Sequence, residues 1–436
     1  MHVLTNKKLL KVTRIIARLN VGGPAKHCIW LLGLDDCCYK YGDNNSHNSN
    51  NTQTYSYNSQ LLYGKVENYE DELSFNFANF DLQKLKSKIR LIRGLKRTIG
   101  ISDIIVFSSI LYNLFLFKPD IIHTHTSKAG LHGRIAAFVY NIVKKICGKK
   151  KSKVVHTFHG HTLHGYFSPW KEWIFRGIEK ILGRFCTDRI VVISSQQYNE
   201  ICLQYKIAPP QRFKIIPLGF DTNLFSEKIL SLHRGEFRKE LGLPSSWKIV
   251  ALVSRVALIK NHQLFINVCD QYLKKFDRNI CFVIVGGGDF ALIESLKRQI
   301  KEKQLNKHVL FCGNRSDLAR VYADIDCMAL TSLNEGTPLS LLEAFAAKIP
   351  CISTRVGGIP DIFGETENNN CEDNFKRGVS INNFDIDQYV DELNKLLSDQ
   401  IYRGKIIDSA YKYVLKNHSI ESLLNSINIL YQELYH

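Results

Sequence analysis

Short apolar runs, each followed by a stretch with helical spacing, constrain this chain more than any other feature. In the first half these runs are Val12–Ala17, Gln60–Tyr63, Ile121–Thr124, Val154–Phe158 and Arg189–Ile193. In the second they are Ile249–Val253, Cys281–Val285, Val309–Phe311, Cys327–Leu330 and Cys351–Thr354. Runs of this kind read as strands buried on both faces, and helical stretches between them call for parallel pairing. The fold class is therefore α/β. A chain of 436 residues is too long for one ordinary core. The cycle restarts after Ile215-Ile216-Pro217-Leu218-Gly219, which predicts two α/β domains, 1–225 and 246–415, with a linker from Leu218 to about Ser246. Leu423, Leu424, Ile427, Leu430 and Leu434 recur at helical spacing, so residues 416–436 are expected to hold a closing helix. Residues 38–59, rich in Asn, Ser and Tyr, read as a flexible insertion, and Glu365–Lys376 as a second polar loop.

Charge narrows the partners. The chain carries 58 basic and 41 acidic residues, a formal net charge of +17. Such a surface favours phosphate-bearing substrates, anionic lipid or nucleic acid. No base-reading motif accompanies the charge, so nucleic acid is not expected. The twelve cysteines are mostly scattered singly, without zinc or disulfide spacing, which suits a reducing cytoplasm. No secretory signal begins the sequence. Ile101–Phe117 is short for a membrane span and reads as a buried or membrane-facing helix. Lys84, Lys86, Lys88, Arg90, Arg93, Lys96 and Arg97 precede it, either as a solvated helix face or as a contact for the inner face of an anionic membrane.

Chemistry-bearing residues gather at the ends of the predicted strands. Glu335-Gly-Thr-Pro-Leu-Ser-Leu-Leu-Glu343 combines two carboxylates with a helix start. Thr337 can cap this helix and Pro338 suits its first turn, leaving the N–H groups of Leu339, Ser340 and Leu341 as an anion site. Glu335 and Glu343 then offer one carboxylate to a sugar and one to ribose hydroxyls; the plain alternative is a capped helix with two solvated glutamates. Arg255 and Lys260 follow another strand and can converge on a diphosphate, or stand as two solvated cations. Gly22 and Gly23 open a helix after the first strand, and Gly287 lies in a strand-end glycine turn; both loops allow close backbone approach. Arg315 follows a further strand and can border a base. Val356–Asp361 reads as a structural loop. His159 ends a strand amid His123, His125, His132, His156, His161 and His164. These invite a metal, but no carboxylate or cysteine completes the set and alternate strand residues face opposite ways, so no metal is assigned.

Taken together, these residues resemble the retaining glycosyltransferases of family 4. The resemblance spans nearly the whole chain. It rests on Arg18-Leu-Asn-Val-Gly-Gly-Pro-Ala25, Pro119–Gly130, Thr157-Phe-His-Gly160, Thr187–Ser194, Ser254-Arg255 with Lys260-Asn-His262, and Glu335–Glu343. It implies the GT-B fold: two Rossmann-like domains facing across a cleft, with the terminal helix returning to the first. It also implies roles: Arg255 and Lys260 on the diphosphate, Glu343 on the ribose, Glu335 on the donor sugar, His159 at the sugar end, and Gly22-Gly23 against the phosphates. The family's chemistry is metal-independent, so no cofactor is expected, and UDP is the favoured nucleotide of the donor. The expected reaction is hexosyl transfer, with retention, to an unidentified acceptor, a lipid-linked sugar of surface polysaccharide assembly being consistent with the basic first half. One departure is Gly286-Gly-Gly-Asp289, where many relatives carry Gly-Asp-Gly; it puts a base-side role for that loop in doubt. The rival classes are a sugar-nucleotide 2-epimerase of the same fold, a phosphorylase with lysine-bound pyridoxal phosphate, and a non-enzymatic binder of anionic membrane.

Overall fold

The computed structural model describes residues 7–20, 23–36, 39–40, 54–66, 86–95, 102–159, 169–276, 278–365 and 376–435. They form two compact units, Met1–Phe220 with Ile420–His436, and Asp221–Ser419. The strands of the first are β1 (Lys7–Ile16), β2 (Tyr39–Lys40), β3 (Thr54–Tyr63), β4 (Ile89–Leu91), β5 (Ile121–His125), β6 (Lys153–Thr157), β7 (Arg189–Val192) and β8 (Phe213–Ile215). The second holds β9 (Lys248–Val253), β10 (Ile280–Val285), β11 (Val309–Gly313), β12 (Cys327–Leu330), β13 (Cys351–Thr354) and β14 (Val379–Ile381). Helices of eight residues or more are α1 (Gly23–Trp30), α2 (Ser102–Phe117), α3 (Ser127–Ile146), α4 (Pro169–Phe185), α5 (His262–Lys275), α6 (Phe290–Glu302), α7 (Leu339–Ala346), α8 (Ile386–Ser398), α9 (Gln400–His418) and α10 (Ile420–Tyr435).

The first sheet has the order β2-β3-β1-β5-β6-β7-β8, with β4 beside β3. All its pairings are parallel except the short β2 against β3. α2 and α3 cover one side, where Val106, Ile110 and Leu114 meet Ile15, Leu62, Ile122 and Val154. The other side receives α10. Its Leu423, Ile427, Leu430, Tyr431 and Leu434 pack on Leu10, Val12, Ile121, Val155 and Val191. At about 2 kcal/mol for each buried side chain, this helix contributes roughly 10 kcal/mol of gross apolar burial. Polar ties fix its register: Tyr57 Oη donates to Asn428 Oδ1 at 2.6 Å, and Tyr435 Oη to Asp120 Oδ1 at 2.8 Å. The closing helix thus belongs to the first unit, although the whole second unit precedes it.

Three expectations need correction. The flexible insertion was drawn too far: Thr54–Ser59 lies in β3, while residues 41–53 are outside the described residues. Tyr55 and Tyr57 point into the core there, and Asp35 accepts from the Ser59 amide and hydroxyl at 2.9 and 2.6 Å, so polar composition concealed a satisfied strand. The segment read as a linker instead folds with the second unit. Its Phe237 is buried, and Asp324 accepts from the amides of Gly235 and Arg238 at 2.6 and 2.9 Å. Finally, the basic stretch before α2 is only in part a helix face: Lys86 and Lys88 are helical, with Lys88 paired to Asp35 at 2.9 Å, but Arg90 lies in β4. Lys84, Lys96 and Arg97 are outside the described residues, as are 366–375 of the second polar loop. Among the described residues no helix is long and apolar enough to cross a membrane.

The second sheet runs β11-β10-β9-β12-β13-β14, wholly parallel. β9 is central, so the loops after β9, β10 and β12 emerge side by side at one edge, where open α/β sheets carry their sites.

Truncating a core residue of α10 tests its share of the first unit's stability. Leu430→Ala is expected to destabilise that unit by about 2–5 kcal/mol, measured by denaturant unfolding, because a fully buried leucine leaves a cavity in a rigid parallel-sheet core.

Candidate functional site

In the second unit the site begins with backbone. Gly286 and Gly288, after β10, lie so close to the loop after β9 that a Cβ would fall 2.0 Å from the Ser254 carbonyl and 2.1 Å from that of Val256. The Val256 amide donates to Gly287 O at 2.8 Å, and the Asp289 amide to Val256 O at 3.1 Å. Arg255 is thereby held between two anchored residues with its own side chain exposed. This changes the expectation for Gly287. A Cβ there would make an ordinary 3.4 Å contact with Asn314, and the close approach enabled by its flanking glycines is to protein backbone.

Lys260 closes the next short turn. Its Nζ lies 2.6 Å from Glu335 Oε1, and Ser332 Oγ donates to the same oxygen at 2.6 Å. The Lys260 side chain is 23% exposed and that of Glu335 7%, so these partners stand in for water around the carboxylate. The surrounding loops are fastened: Thr331 Oγ1 donates to Asn261 O at 3.0 Å, Thr354 Oγ1 to Ser332 O at 2.6 Å, and the Gly358 amide to Glu335 O at 2.9 Å. Gly357 sits at φ +56, where a Cβ would fall 1.9 Å from Glu335 O, so only glycine fits. The Val356–Asp361 loop is therefore what seats Glu335.

The helix start differs from expectation by one residue. Pro338 is the N-cap of α7, with φ −69 and ψ 114, and no side chain caps the helix. Thr337 stands outside, because an extended proline begins the turn one position later. The Leu341 amide is taken by Pro338 O at 3.2 Å, so of the three expected donors the amides of Leu339 and Ser340 remain at the helix's positive end. Glu343 is one turn further on. Tyr322 Oη donates to Glu343 Oε2 at 3.1 Å and to Ser340 O at 3.0 Å. Burial, and then the neighbouring Glu343, raise the Tyr322 pKa well above its ordinary value, so the phenol stays a donor.

Arg315 does not join this group. Its guanidinium is spent on Asp317 at 2.9 and 2.6 Å and on Glu240 at 2.6 and 3.1 Å, and it lies over the Phe237 ring. It staples the loop after β11 to the chain entering the second unit, in place of the expected base contact.

In the first unit, His125 Nδ1 and His159 Nε2 are 2.9 Å apart at the ends of β5 and β6. His27 of α1 packs edge-on to both, with ring centroids 5.6 and 4.8 Å away. Burial lowers the pKa of His27 and His125 well below the usual histidine value. The mostly enclosed ring of His159 is lowered to about 3 for the same reason. Among the described residues, His27, His125 and His159 form the group best able to hold a metal, with ligand atoms within 4.8 Å of one another. The strand-alternation objection to a metal was misapplied, since His123 and His125 are two apart and share a face, with ring centroids 4.2 Å apart. The buried Arg14 guanidinium, whose charge helps depress these histidines, opposes a cation there. His123 bonds Tyr431 Oη and Thr157 Oγ1, each at 2.7 Å, and His156 bonds Thr124 Oγ1 at 2.8 Å, so both are structural. His132 faces Asp103 at 3.5 Å. Gly23 is the first residue of α1; Gly22, His161 and His164 are outside the described residues. Sequence reasoning passed over His27, Tyr322 and Ser332, none of which lies in a motif, while Gly357 falls in the Val356–Asp361 loop read there as structural.

Comparison with known proteins agrees with this arrangement. Residues 84–224 match the family described as Glycosyltransferase Family 4, and residues 233–413 that described as Glycosyl transferases group 1. A UDP-Gal:alpha-D-GlcNAc-diphosphoundecaprenol alpha-1,3-galactosyltransferase of Escherichia coli is 28% identical over 76% of this chain and 78% of its own length. A D-inositol 3-phosphate glycosyltransferase of Corynebacterium glutamicum (strain R) is 26% identical, over 67% and 68%. Among solved structures, Anabaena Alr3699/HepE in complex with UDP superposes with a TM-score of 0.72 at 17% identity, covering 98% of this chain and all of that one. The chain belongs to the group 1, family 4 glycosyltransferases: it has the GT-B fold and is a nucleotide-sugar-dependent transferase.

Two outcomes follow from the site geometry. Lys260→Met leaves Glu335 nearly buried without its cation and should lower stability by about 3–5 kcal/mol in denaturant unfolding. The double variant Lys260→Met/Glu335→Gln should regain most of that loss without regaining donor binding. The neutral histidines of the first unit also give a pH signature. Their folded pKa values are depressed, so the unfolded chain binds more protons below about pH 6.5, and stability falls as pH drops from there towards 3. The limiting slope is about 1.4 kcal/mol per pH unit for each such histidine. Tm measured from pH 7 to 5 should fall, less steeply in His125→Gln.

Proposed function

We propose that this protein transfers a hexose from a UDP-sugar to a hydroxyl of a lipid-linked acceptor sugar, with retention of configuration and without a divalent metal, in surface polysaccharide assembly. The observation that carries this reading is the Lys260–Glu335 pair beside the exposed Arg255, on adjacent strand ends of one sheet. Two cations and the Leu339 and Ser340 amides suit a diphosphate leaving group, where they neutralise the charge that develops as the sugar departs. Glu343, steadied by Tyr322, suits the ribose hydroxyls. Glu335 suits a donor-sugar hydroxyl. A bound donor would draw Lys260 towards phosphate and leave the carboxylate free to accept.

Retention fits front-face attack on an oxocarbenium-like sugar, in which a leaving phosphate oxygen takes the acceptor's proton. That route needs no enzymic nucleophile, and none is assigned. In the first unit the neutral His125–His159 pair can donate to and accept from a sugar hydroxyl. The Escherichia coli transferase takes its name from a UDP-sugar donor and a diphosphoundecaprenol-linked acceptor, and the Anabaena protein is known in complex with UDP; both support UDP as the nucleotide, and the former a diphospholipid-linked acceptor.

A panel of sugar nucleotides, tested by thermal shift and then by turnover with a synthetic lipid-diphosphate sugar, decides the matter. UDP-sugars should raise Tm where GDP- and ADP-sugars do not. An α-linked donor should give an α-linked product by NMR, and chelator should leave turnover unchanged. Glu343→Ala should lose roughly a hundredfold in kcat/KM. An inverted product, or turnover abolished by chelator and restored by Mg2+, would defeat the proposal.

A further inference from the structure

Among its described residues the first unit buries a cation that no side chain neutralises, and we propose that this cation, Arg14, holds a small inorganic anion of chloride size. Arg14 lies in β1 opposite His123 of β5, and it shares a sheet face with Val12, which α10 covers. It is fully buried, and its Nε and both Nη atoms have no hydrogen-bond partner among the described residues. A guanidinium cannot shed its proton to escape this. A charge buried without a counter-charge costs more than any single hydrogen bond returns.

The neighbours do not supply the counter-charge. Burial pushes the Cys28 thiol and the Tyr431 phenol up, so both stay neutral beside Arg14. His27, His123 and His125 are held neutral, chiefly by burial. The Asp35 carboxylate is taken by the Ser59 amide and hydroxyl, and by Lys88 at 2.9 Å. What the neighbours do offer is protons. Both ring nitrogens of His27 lack a partner, as do His125 Nε2 and His159 Nδ1. A neutral imidazole carries one N–H, so His27 has one to give. In the His125–His159 pair one N–H is spent on the 2.9 Å bond between the rings. The ring that accepts it keeps its own N–H on its far nitrogen.

Size and access select the ion. The histidine ring centroids stand 4.2, 4.8, 5.2 and 5.6 Å apart, which suits one spherical ion against the guanidinium and leaves no berth for a tetrahedral oxyanion. Arg14, His27 and His125 are each 1% exposed or less, so an anionic group carried on a substrate is kept from the guanidinium. A free ion can pass the partly exposed His159.

This site goes beyond the transferase reading, because ion binding is measured without substrate and stands or falls separately. The test follows Tm of the full chain as chloride replaces gluconate at constant ionic strength. Wild type should gain about 5 °C once chloride exceeds its Kd a hundredfold. Bromide-soaked crystals should show an anomalous peak against the Arg14 guanidinium. Arg14→Met keeps the stem and discards the charge; it should lose the chloride response and, in chloride-free buffer, melt no lower than wild type. Should that variant fail to fold, the bromide peak decides alone. A wild-type Tm indifferent to chloride, no bromide at Arg14, or a response that survives in Arg14→Met overturns the proposal. So does a Tm raised by phosphate and not by chloride.

Discussion

The site in the second unit depends on one nearly buried carboxylate finding partners. Glu335 does so through Lys260 and Ser332, and those contacts exist because the loops after β9 and β12 emerge from adjacent strands. The apposition is enforced from the other side by Gly357, whose missing side chain lets the loop after β13 close on the Glu335 carbonyl. The ion pair also sets a chemical balance. A buried pair is costly to assemble and more costly to break by halves. On the proposed reading a donor phosphate takes the place of Glu335 at Lys260 and a donor-sugar hydroxyl takes the place of Lys260 at Glu335, so the resting pair holds the site for ligand.

Much of this was legible in the sequence. Apolar runs ending in Gly, His, Arg or Glu gave the parallel sheets and the edge that bears function, since both follow from local pattern and from the handedness of βαβ units. Other features were hidden for identifiable reasons. The start of β3, Thr54–Ser59, was obscured because its tyrosines face a helix nearly four hundred residues away, and its serine is satisfied by Asp35. The cap of α7 was misplaced because Thr and Pro both favour a helix start, and only the backbone decides which comes first. Arg315 looked available because its partners, Glu240 and Asp317, come from the distant short helix Glu236–Glu240 and from a non-motif neighbour. Tyr322 belongs to no motif, yet it holds Glu343 in place.

The two units handle polarity in opposite ways. The second keeps charge at its strand ends and pairs it. The first gathers neutral histidines whose ionisation is suppressed by burial and by Arg14, so its polar groups act as hydrogen-bond partners rather than as counter-ions. That division suits a reaction with one charged and one uncharged substrate end. It also explains why the arginine-and-lysine signal in the sequence was strong for the second unit and weak for the first.

The return of α10 to the first unit has a consequence for how the protein is made. That unit's sheet is translated early, but the helix covering Leu10, Val12, Ile121 and Val191 follows only after the whole second unit. Until then the nascent sheet must carry an uncovered apolar side while the intervening unit folds. Domains of this discontinuous kind mature late and are exposed to misassembly in the interval. Completion of the first unit thereby waits on synthesis of the second, so a product terminated before α10 is left with an unfinished core.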